Sequence, residues 1–142
     1  MITAVLAVTG AASVGNTEVA YGTITTDTSA AELSLSDGTD TEKIVREYFK
    51  DIPVLVQVAR CESTFRHTLA DGSVLLGRVD PADTGVMQIN KRYHGETAIK
   101  LGLDLNDIYD NMAYARYLYE KKGTQPWNAS SPCWGQTLAY NN

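Results

Sequence analysis

The sequence predicts an α+β protein that is mainly α-helical and carries one small antiparallel β-hairpin. Apolar residues recur at helical spacing in several segments between residues 41 and 122, and capping residues, Pro or Gly bound these segments. One Asp-Gly pair lies between two short apolar arms, which is the pattern of a hairpin turn. The 142 residues are enough for one domain with a hydrophobic core.

The first two helices are predicted at 41–49 and 53–62. In the first, the apolar residues share one face, and Asp40 or Thr41 is the expected N-cap. The second helix opens on Pro53, because a missing N–H has no cost in the first turn. Both helices therefore have a face that can be buried in a core.

The remaining elements are one hairpin, two helices and a turn near the C-terminus. In chain order the sequence predicts them at 68–76, 96–101, 107–122 and 132–134. The hairpin is centred on Asp71-Gly72, and the helices end at Gly102 and Gly123, since glycine readily adopts the conformation that ends a helix.

The charge of the chain is divided unevenly. The formal net charge is -5, from 12 basic and 17 acidic residues, and every basic residue lies at Lys43 or later. The acids that precede Thr41 account for the whole excess. We therefore divide the chain into an acidic flexible leader at 1–40 and an electrically balanced folded domain at 41–142. A nucleic-acid partner is not expected, because the sequence has no basic surplus.

The leader begins with a segment that resembles a secretory signal peptide. Residues 1–12 are an apolar run followed by small residues, although no basic residue precedes the run. The run is too short to span a bilayer. Residues 14–39 have the composition of a linker, with 19–25 as a weak strand candidate. We expect a secreted or cell-envelope-associated protein without a membrane span; a frayed tail or a first core strand is the alternative.

Glu62 is the acid whose position points most clearly to chemistry. It lies seven residues after Leu55 and four after Val58, so it extends the apolar stripe of the second helix. Burial would raise its pKa and keep the carboxyl protonated. A protonated carboxyl can donate a proton to a leaving sugar oxygen, as glycosidases require. The alternative is an ordinary capping or surface glutamate.

Two segments resemble the lysozyme superfamily, which includes C-type lysozymes and soluble lytic transglycosylase domains. They are Cys61-Glu62-Ser63-Thr64-Phe65 and Asp83-Thr84-Gly85-Val86-Met87-Gln88-Ile89-Asn90. The likeness continues through Asn111 to Tyr119, Gly123, Trp127 and Cys133-Trp134, so it covers about Ile44 to Trp134 in the family's order. The resemblance implies a lysozyme-like fold and a peptidoglycan-cleaving domain at 41–142.

The resemblance also implies roles for individual residues. Glu62 would be the general acid, Ser63 and Gln88 would bind substrate, and Tyr117 or Tyr119 would be a cleft tyrosine. Each substrate-binding role has a structural alternative. Ser63 could instead cap its own helix end, Gln88 could stabilise a turn, and the tyrosine rings could pack in the core.

Asp83 bears on the type of reaction. C-type lysozymes keep a second carboxylate two residues before the glycine that Gly85 matches, which would make Asp83 catalytic and favour hydrolysis with retention. Lytic transglycosylases use one glutamate, and the muramoyl 6-hydroxyl attacks to give an anhydro sugar. The Met87-Gln88 pair and the helix that begins near Asn111 resemble that branch more, so we favour it. A turn-forming loop aspartate is the third interpretation.

The two cysteines, Cys61 and Cys133, predict a disulfide if the chain is exported, and two separate buried thiols are the alternative. No metal is expected, because the Cys and His residues lack the spacing of a zinc site. No cofactor is expected either, since no phosphate loop or dinucleotide fingerprint is present.

The sequence thus predicts a monomeric enzyme that acts on peptidoglycan glycan strands at the β-1,4 bond between N-acetylmuramic acid and N-acetylglucosamine. A lytic transglycosylase that uses Glu62 is favoured, and a lysozyme-type muramidase with Asp83 as second carboxylate is the alternative. A non-catalytic glycan-binding or structural protein that keeps the fold is the alternative of another class.

Overall fold

The computed structural model describes residues 38–139. The signal-like segment at 1–12, the linker at 14–39 except its last two residues, and the strand candidate at 19–25 lie outside this range. Within it, the fold is mainly α-helical with one two-stranded antiparallel sheet, as the sequence predicts. No helix of the described range is long and apolar enough to cross a membrane.

The elements follow one another with short connections, except for the segment between the second helix and the sheet. The α-helices are α1 (Gly38–Tyr48), α2 (Pro53–Ser63), α3 (Lys91–Lys100), α4 (Ile108–Lys122) and α5 (Ser131–Ala139). The strands are β1 (Asp83–Thr84) and β2 (Ile89–Asn90), and a 3₁₀ helix spans Gln125–Ser130.

The predicted cap of α1 is wrong. The helix begins at Gly38, so Asp40 lies inside its first turn and not before it. A carboxylate in that turn interacts favourably with the positive end of the helix dipole. In contrast, α2 begins at Pro53 as predicted, and it ends at Ser63, because the next residue, Thr64, has a left-handed φ of 53°.

The start of α3 is also earlier than predicted. The side chain of Asn90 accepts a hydrogen bond from the backbone N–H of Arg92, so the helix begins at Lys91 and not near Glu96. The prediction for α4 is confirmed. The Asp107 side chain caps it by accepting the N–H of Tyr109, and Gly123 ends it.

The predicted turn at 132–134 is wrong, because the chain is helical there. The 3₁₀ helix leads directly into α5, which begins at Ser131. Pro132 falls in the first turn of α5, where its fixed φ suits a helix and its missing N–H has no partner to lose. The C-terminal region is therefore an ordered helix that packs against α2.

The sheet lies further along the chain than the predicted hairpin. The Asp71 turn forms, and the N–H of Leu69 donates to the Ser73 carbonyl at 2.8 Å, but Thr68 and Val74 make only an isolated bridge. The regular pairing is between β1 and β2. The arms of the predicted hairpin include exposed Leu69, and an arm without a buried face gains little from pairing.

The hydrophobic core joins α1, α2, α4 and the turn between β1 and β2. Its fully buried side chains include Val45, Phe49, Leu55, Val58, Val86, Met87, Met112 and Ala115. The Cys61–Cys133 disulfide, with a Cα–Cα distance of 6.0 Å, connects α2 to α5 and confirms the predicted pairing. The end of α2 is thus held from one side by the core and from the other by α5.

Candidate active site

A cleft of about 280 Å³ lies beside the end of α2. The sheet, α3, α4 and the 3₁₀ helix supply its other walls. Its lining residues are Glu62, Asp83, Gln88, Ile89, Asn90, Tyr93, His94, Leu118, Pro126, Trp127 and Ala129. A wider groove of about 520 Å³ lies beside α1, but its two acids, Asp40 and Glu47, are on exposed parts of the helix. The smaller cleft brings together more of the predicted site residues.

Glu62 has the environment that the sequence predicts. It lies one residue before the end of α2 and is half-buried in the cleft wall. Burial raises the pKa of its carboxyl, and the charge of Asp83 raises the pKa further. The Ser130 hydroxyl, which donates to Glu62 Oε1 at 2.6 Å, lowers the pKa, but burial is the larger effect.

Asp83 lines the same cleft as Glu62, and Asn90 orients it. The side-chain amide of Asn90 donates to Asp83 Oδ1 at 2.8 Å and to Asp80 Oδ2 at 2.9 Å. Asp83 and Asn90 are paired across the sheet, so the backbone register fixes the contact between their side chains. The loop is turned by Asp80, whose Oδ1 accepts the N–H of Ala82 at 3.0 Å. Asp83 therefore has no need to serve as the turn-forming aspartate.

The turn between β1 and β2 is fixed by buried Asn111 on α4. Its Oδ1 accepts the N–H of Met87 at 3.0 Å, and its Nδ2 donates to the carbonyls of Thr84 and Leu105 at 3.0 and 2.9 Å. These three bonds use most of the capacity of one side-chain amide. Asn111 thus acts as a clamp: its hydrogen bonds hold the turn between β1 and β2 against α4.

The His67 ring also holds the turn between β1 and β2 by hydrogen bonding. Its Nδ1 accepts the N–H of Val86 at 3.1 Å, so we assign the proton to Nε2, which donates to the Asn106 carbonyl at 2.7 Å. Both bonds suit a neutral ring, and burial lowers the pKa of His67. The histidine is a structural part of the turn.

Gln88 stabilises the turn, as its structural alternative predicts, and it also lies in the cleft wall. It lines the cleft, and its Nε2 donates to the Gly85 carbonyl at 2.8 Å. Its backbone has a φ of 49°, which is uncommon for a residue other than glycine. Such a conformation is retained where surrounding contacts determine it, as they do in this clamped turn.

Three residues predicted to bind substrate do not line the cleft. Ser63 is buried, and its hydroxyl donates to the Ala59 carbonyl at 3.0 Å. It thus bonds the backbone of its own helix, which was the structural alternative to substrate binding. The Tyr117 ring lies 5.5 Å from that of Tyr114, and Tyr119 packs on the core. The side chain that α4 presents to the cleft is Leu118, one residue from each expected tyrosine.

Several residues of the site were not predicted from the sequence, among them Tyr93, His94, Trp127 and Ser130. Tyr93 and His94 line the cleft from α3, and Tyr93 leaves 74% of its surface exposed. Trp127 lines it from the 3₁₀ helix, and Ser130 contacts Glu62. The missed start of α3 concealed the first two, since a helix beginning at Lys91 turns them toward the sheet. Nothing in the sequence distinguishes Ser130 from an ordinary loop serine.

The cleft contains acid–base groups and one exposed aromatic ring, that of Tyr93. In the part of the chain that the structure describes, no group of three or more His, Cys, Asp or Glu residues could hold a metal ion. The ionisable side chains of the cleft are Glu62, Asp83, Tyr93 and His94.

Comparisons with protein-family models, with curated proteins and with solved structures found no match.

Proposed function

We propose that this protein cleaves the β-1,4 bond between N-acetylmuramic acid and N-acetylglucosamine in peptidoglycan, with Glu62 as the general acid. The observation that carries the proposal is a half-buried carboxyl with a raised pKa in the wall of a cleft. The choice of peptidoglycan as the substrate comes from the sequence resemblance to the lysozyme superfamily.

The chemistry begins with protonated Glu62. It donates its proton to the bridging oxygen while the sugar ring on the other side of the bond becomes oxocarbenium-like. Glu62 is then a carboxylate and can accept a proton from the incoming nucleophile. Exposed Tyr93 offers an apolar ring face on which a sugar ring can stack. These steps use side chains alone and need no cofactor.

In the branch that the sequence favours, the nucleophile is the muramoyl 6-hydroxyl and the product is a 1,6-anhydro sugar. That reaction requires one catalytic glutamate. The hydrogen bonds of Asn111 hold the turn that contains Met87 and Gln88. They support this branch because they connect the two segments that resemble transglycosylases, the Met87-Gln88 pair and the helix near Asn111.

A second candidate is hydrolysis, and the position of Asp83 favours it. Asp83 lies in the same cleft as Glu62, and Asn90 orients its carboxylate. A second carboxylate there can form a glycosyl intermediate or stabilise the oxocarbenium ion, after which water completes the reaction. Both candidates use the same bond, the same acid and the same cleft.

Mass spectrometry of the muropeptides released from purified peptidoglycan tests the proposal. We expect 1,6-anhydro ends from a transglycosylase and reducing ends from a hydrolase. If Asp83→Asn abolishes release, the hydrolytic candidate gains support; if it leaves release nearly unchanged, the single-glutamate branch does. Binding of the glycan without any released product would contradict the proposal and indicate a non-catalytic lysozyme-like protein.

The proposed site of action is outside the cytosol. The Cys61–Cys133 disulfide persists in an oxidising compartment, and peptidoglycan lies in such a compartment. This agrees with the signal-like segment at 1–12.

A further inference from the structure

The Ser130 hydroxyl makes a hydrogen bond with the Glu62 side chain across two different helices. It lies at the end of the 3₁₀ helix and donates to Glu62 Oε1 at 2.6 Å. The Cys61–Cys133 bridge begins one residue before Glu62 and ends three residues after Ser130. A covalent bond thus holds the two partners of this contact together.

The hydrogen-bond arrangement leaves the Ser130 proton available for Glu62. Ser130 Oγ also lies 3.1 Å from the Trp127 carbonyl, and a hydroxyl has one proton to share between these two acceptors. The Trp127 carbonyl already accepts the indole N–H of Trp134 at 3.0 Å. Since that carbonyl is satisfied, the shorter contact to Glu62 is the better use of the proton.

We propose that Ser130 is a positioning residue for Glu62: its hydroxyl holds Oε1 of the carboxyl, which leaves Oε2 as the oxygen that carries the proton toward the cleft. A protonated carboxyl has one acceptor oxygen and one O–H group. A donor fixed at Oε1 therefore directs the proton to the other oxygen. When Glu62 is ionised, the same bond stabilises the carboxylate, so one contact serves both steps of the reaction. This inference rests on the proposed function.

The first test is a titration of the Glu62 carboxyl by ¹³C NMR in the full chain, with the signal assigned by its loss in Glu62→Gln. Because a hydrogen bond to the ionised form lowers a carboxyl pKa, Ser130→Ala should raise the midpoint by about one pH unit. Ser131→Ala removes a neighbouring hydroxyl and should leave the midpoint unchanged. The other ionisable groups of the cleft, Asp83, Tyr93 and His94, stay in both variants. An unchanged midpoint in Ser130→Ala would overturn the inference.

The second test compares Ser130→Thr with Ser130→Val, which have the same shape and differ in the hydroxyl. We expect Thr to keep the rate of glycan cleavage within a few-fold of the wild type. Val should lower kcat by about 10-fold, leave KM nearly unchanged and move the alkaline limb of the pH profile upward. Equal kcat values and equal pH profiles for Thr and Val would count against a positioning role.

The two tests separate this inference from the proposed function. If the wild type cleaves glycan and the Ser130 variants match it in titration and in rate, the inference fails and the function stands. If the wild type cleaves nothing, the catalytic part of the inference fails with the function, and the titration still decides whether Ser130 controls the carboxyl.

Discussion

At the scale of single residues, burial and two neighbouring side chains set the pKa of the Glu62 carboxyl. Burial in the cleft wall and the charge of Asp83 raise its pKa, and the Ser130 hydroxyl lowers it. A general acid works best when its pKa is near the operating pH, so an ordinary surface glutamate would be a poor proton donor at neutral pH. The site thus raises the proton affinity of Glu62 and still leaves it a partner when ionised.

Replacing Asp83 with Asn should lower the pKa of Glu62. The substitution removes a negative charge that disfavours ionisation of Glu62, so the carboxyl ionises at lower pH. In the same ¹³C titration the Glu62 midpoint should move down, and the alkaline limb of any activity should move with it. A midpoint that stays in place or rises would contradict the charge coupling between the two residues.

Gly85 is the residue whose backbone the cleft turn needs most. Its φ is 72°, and a Cβ there would lie 2.7 Å from Asn111 Nδ2 and from His67 Cε1. Gly85→Ala should lower the free energy of unfolding by about 1–3 kcal/mol for the backbone alone, and further for the clash with the clamp. Urea denaturation measures this loss.

Gly102→Ala is the matched control. Gly102 has a φ of 73°, but a Cβ there would meet nothing within 4 Å. This variant should therefore show the backbone cost without the clash. Equal losses of stability in the two variants would mean that Asn111 and His67 do not confine the turn.

The residue scale also shows what the sequence could reveal about the site. The partly buried position of Glu62 could be predicted, because its spacing from Leu55 and Val58 places it on the apolar face of a helix. Ser63 could not be assigned in the same way, because a serine at a helix end can bond its own backbone, as it does to Ala59. Spacing tells which face a residue occupies, while the partner of a short polar side chain depends on the tertiary fold.

At the scale of secondary structure elements, the site depends on how α5 is held against α2. The disulfide connects them, and the Trp134 indole N–H bonds the Trp127 carbonyl beside it. Ser130 lies between these two attachments, so its contact with Glu62 depends on the placement of the whole C-terminal segment.

Reduction of the disulfide should therefore weaken both stability and the site. The bridge closes a loop with a sequence separation of 72 residues, which stabilises the fold by about 4 kcal/mol in the chain-entropy model. Urea denaturation with and without a thiol reductant should show this difference. The double variant Cys61→Ala, Cys133→Ala should not respond to the reductant. A wild type whose unfolding midpoint is insensitive to full reduction would contradict this account.

The errors of element prediction have a common cause. Helices with a Pro or an Asp at their start, such as α2 and α4, could be predicted, because those residues act on their own backbone. Asn90 could not be identified as the cap of α3, because an asparagine is equally suited to a turn. The hairpin at 68–76 was predicted from its Asp-Gly turn and the short apolar arms beside it, but a strand pair also needs a face to bury. Burial is a property of the whole fold.

At the scale of the whole molecule, the net charge of the chain lies almost entirely before the described domain. The net charge of -5 comes from residues before Thr41, while the acidic and basic residues from Thr41 onward balance, and several of them form ion pairs such as Arg46–Glu42 and Arg116–Asp51. Such pairs leave little net field around the cleft. Glycan recognition should thus depend on stacking and hydrogen bonds.

Binding to insoluble peptidoglycan should therefore change little with ionic strength. Cosedimentation of the full chain with purified peptidoglycan, at salt concentrations between about 20 and 150 mM, tests this expectation. We expect the bound fraction to vary by less than about two-fold. A steep loss of binding with added salt would show that bulk charge attraction, and not the cleft, dominates recognition.

The whole fold class was within reach of the sequence, while the shape of the cleft was not. Helical periodicity and bounding Pro and Gly residues predict a mainly helical chain, and the structure agrees. The cleft brings together segments that are distant in sequence: the end of α2, α3, α4, the sheet with its clamped turn near Gly85, and the 3₁₀ helix. Trp127 joins the last two by donating its indole N–H to the Met87 carbonyl, and no local pattern predicts such a bond.

The most direct test of the central claim is the cleavage of purified peptidoglycan by wild-type protein and by Glu62→Gln. The substitution removes the acid but keeps the size of the side chain, so the fold and the affinity for the glycan should be retained. We predict that the wild type releases muropeptides and that Glu62→Gln does so at least about 100-fold more slowly. A folded Glu62→Gln protein that releases them at the wild-type rate would contradict the assignment of Glu62 as the general acid.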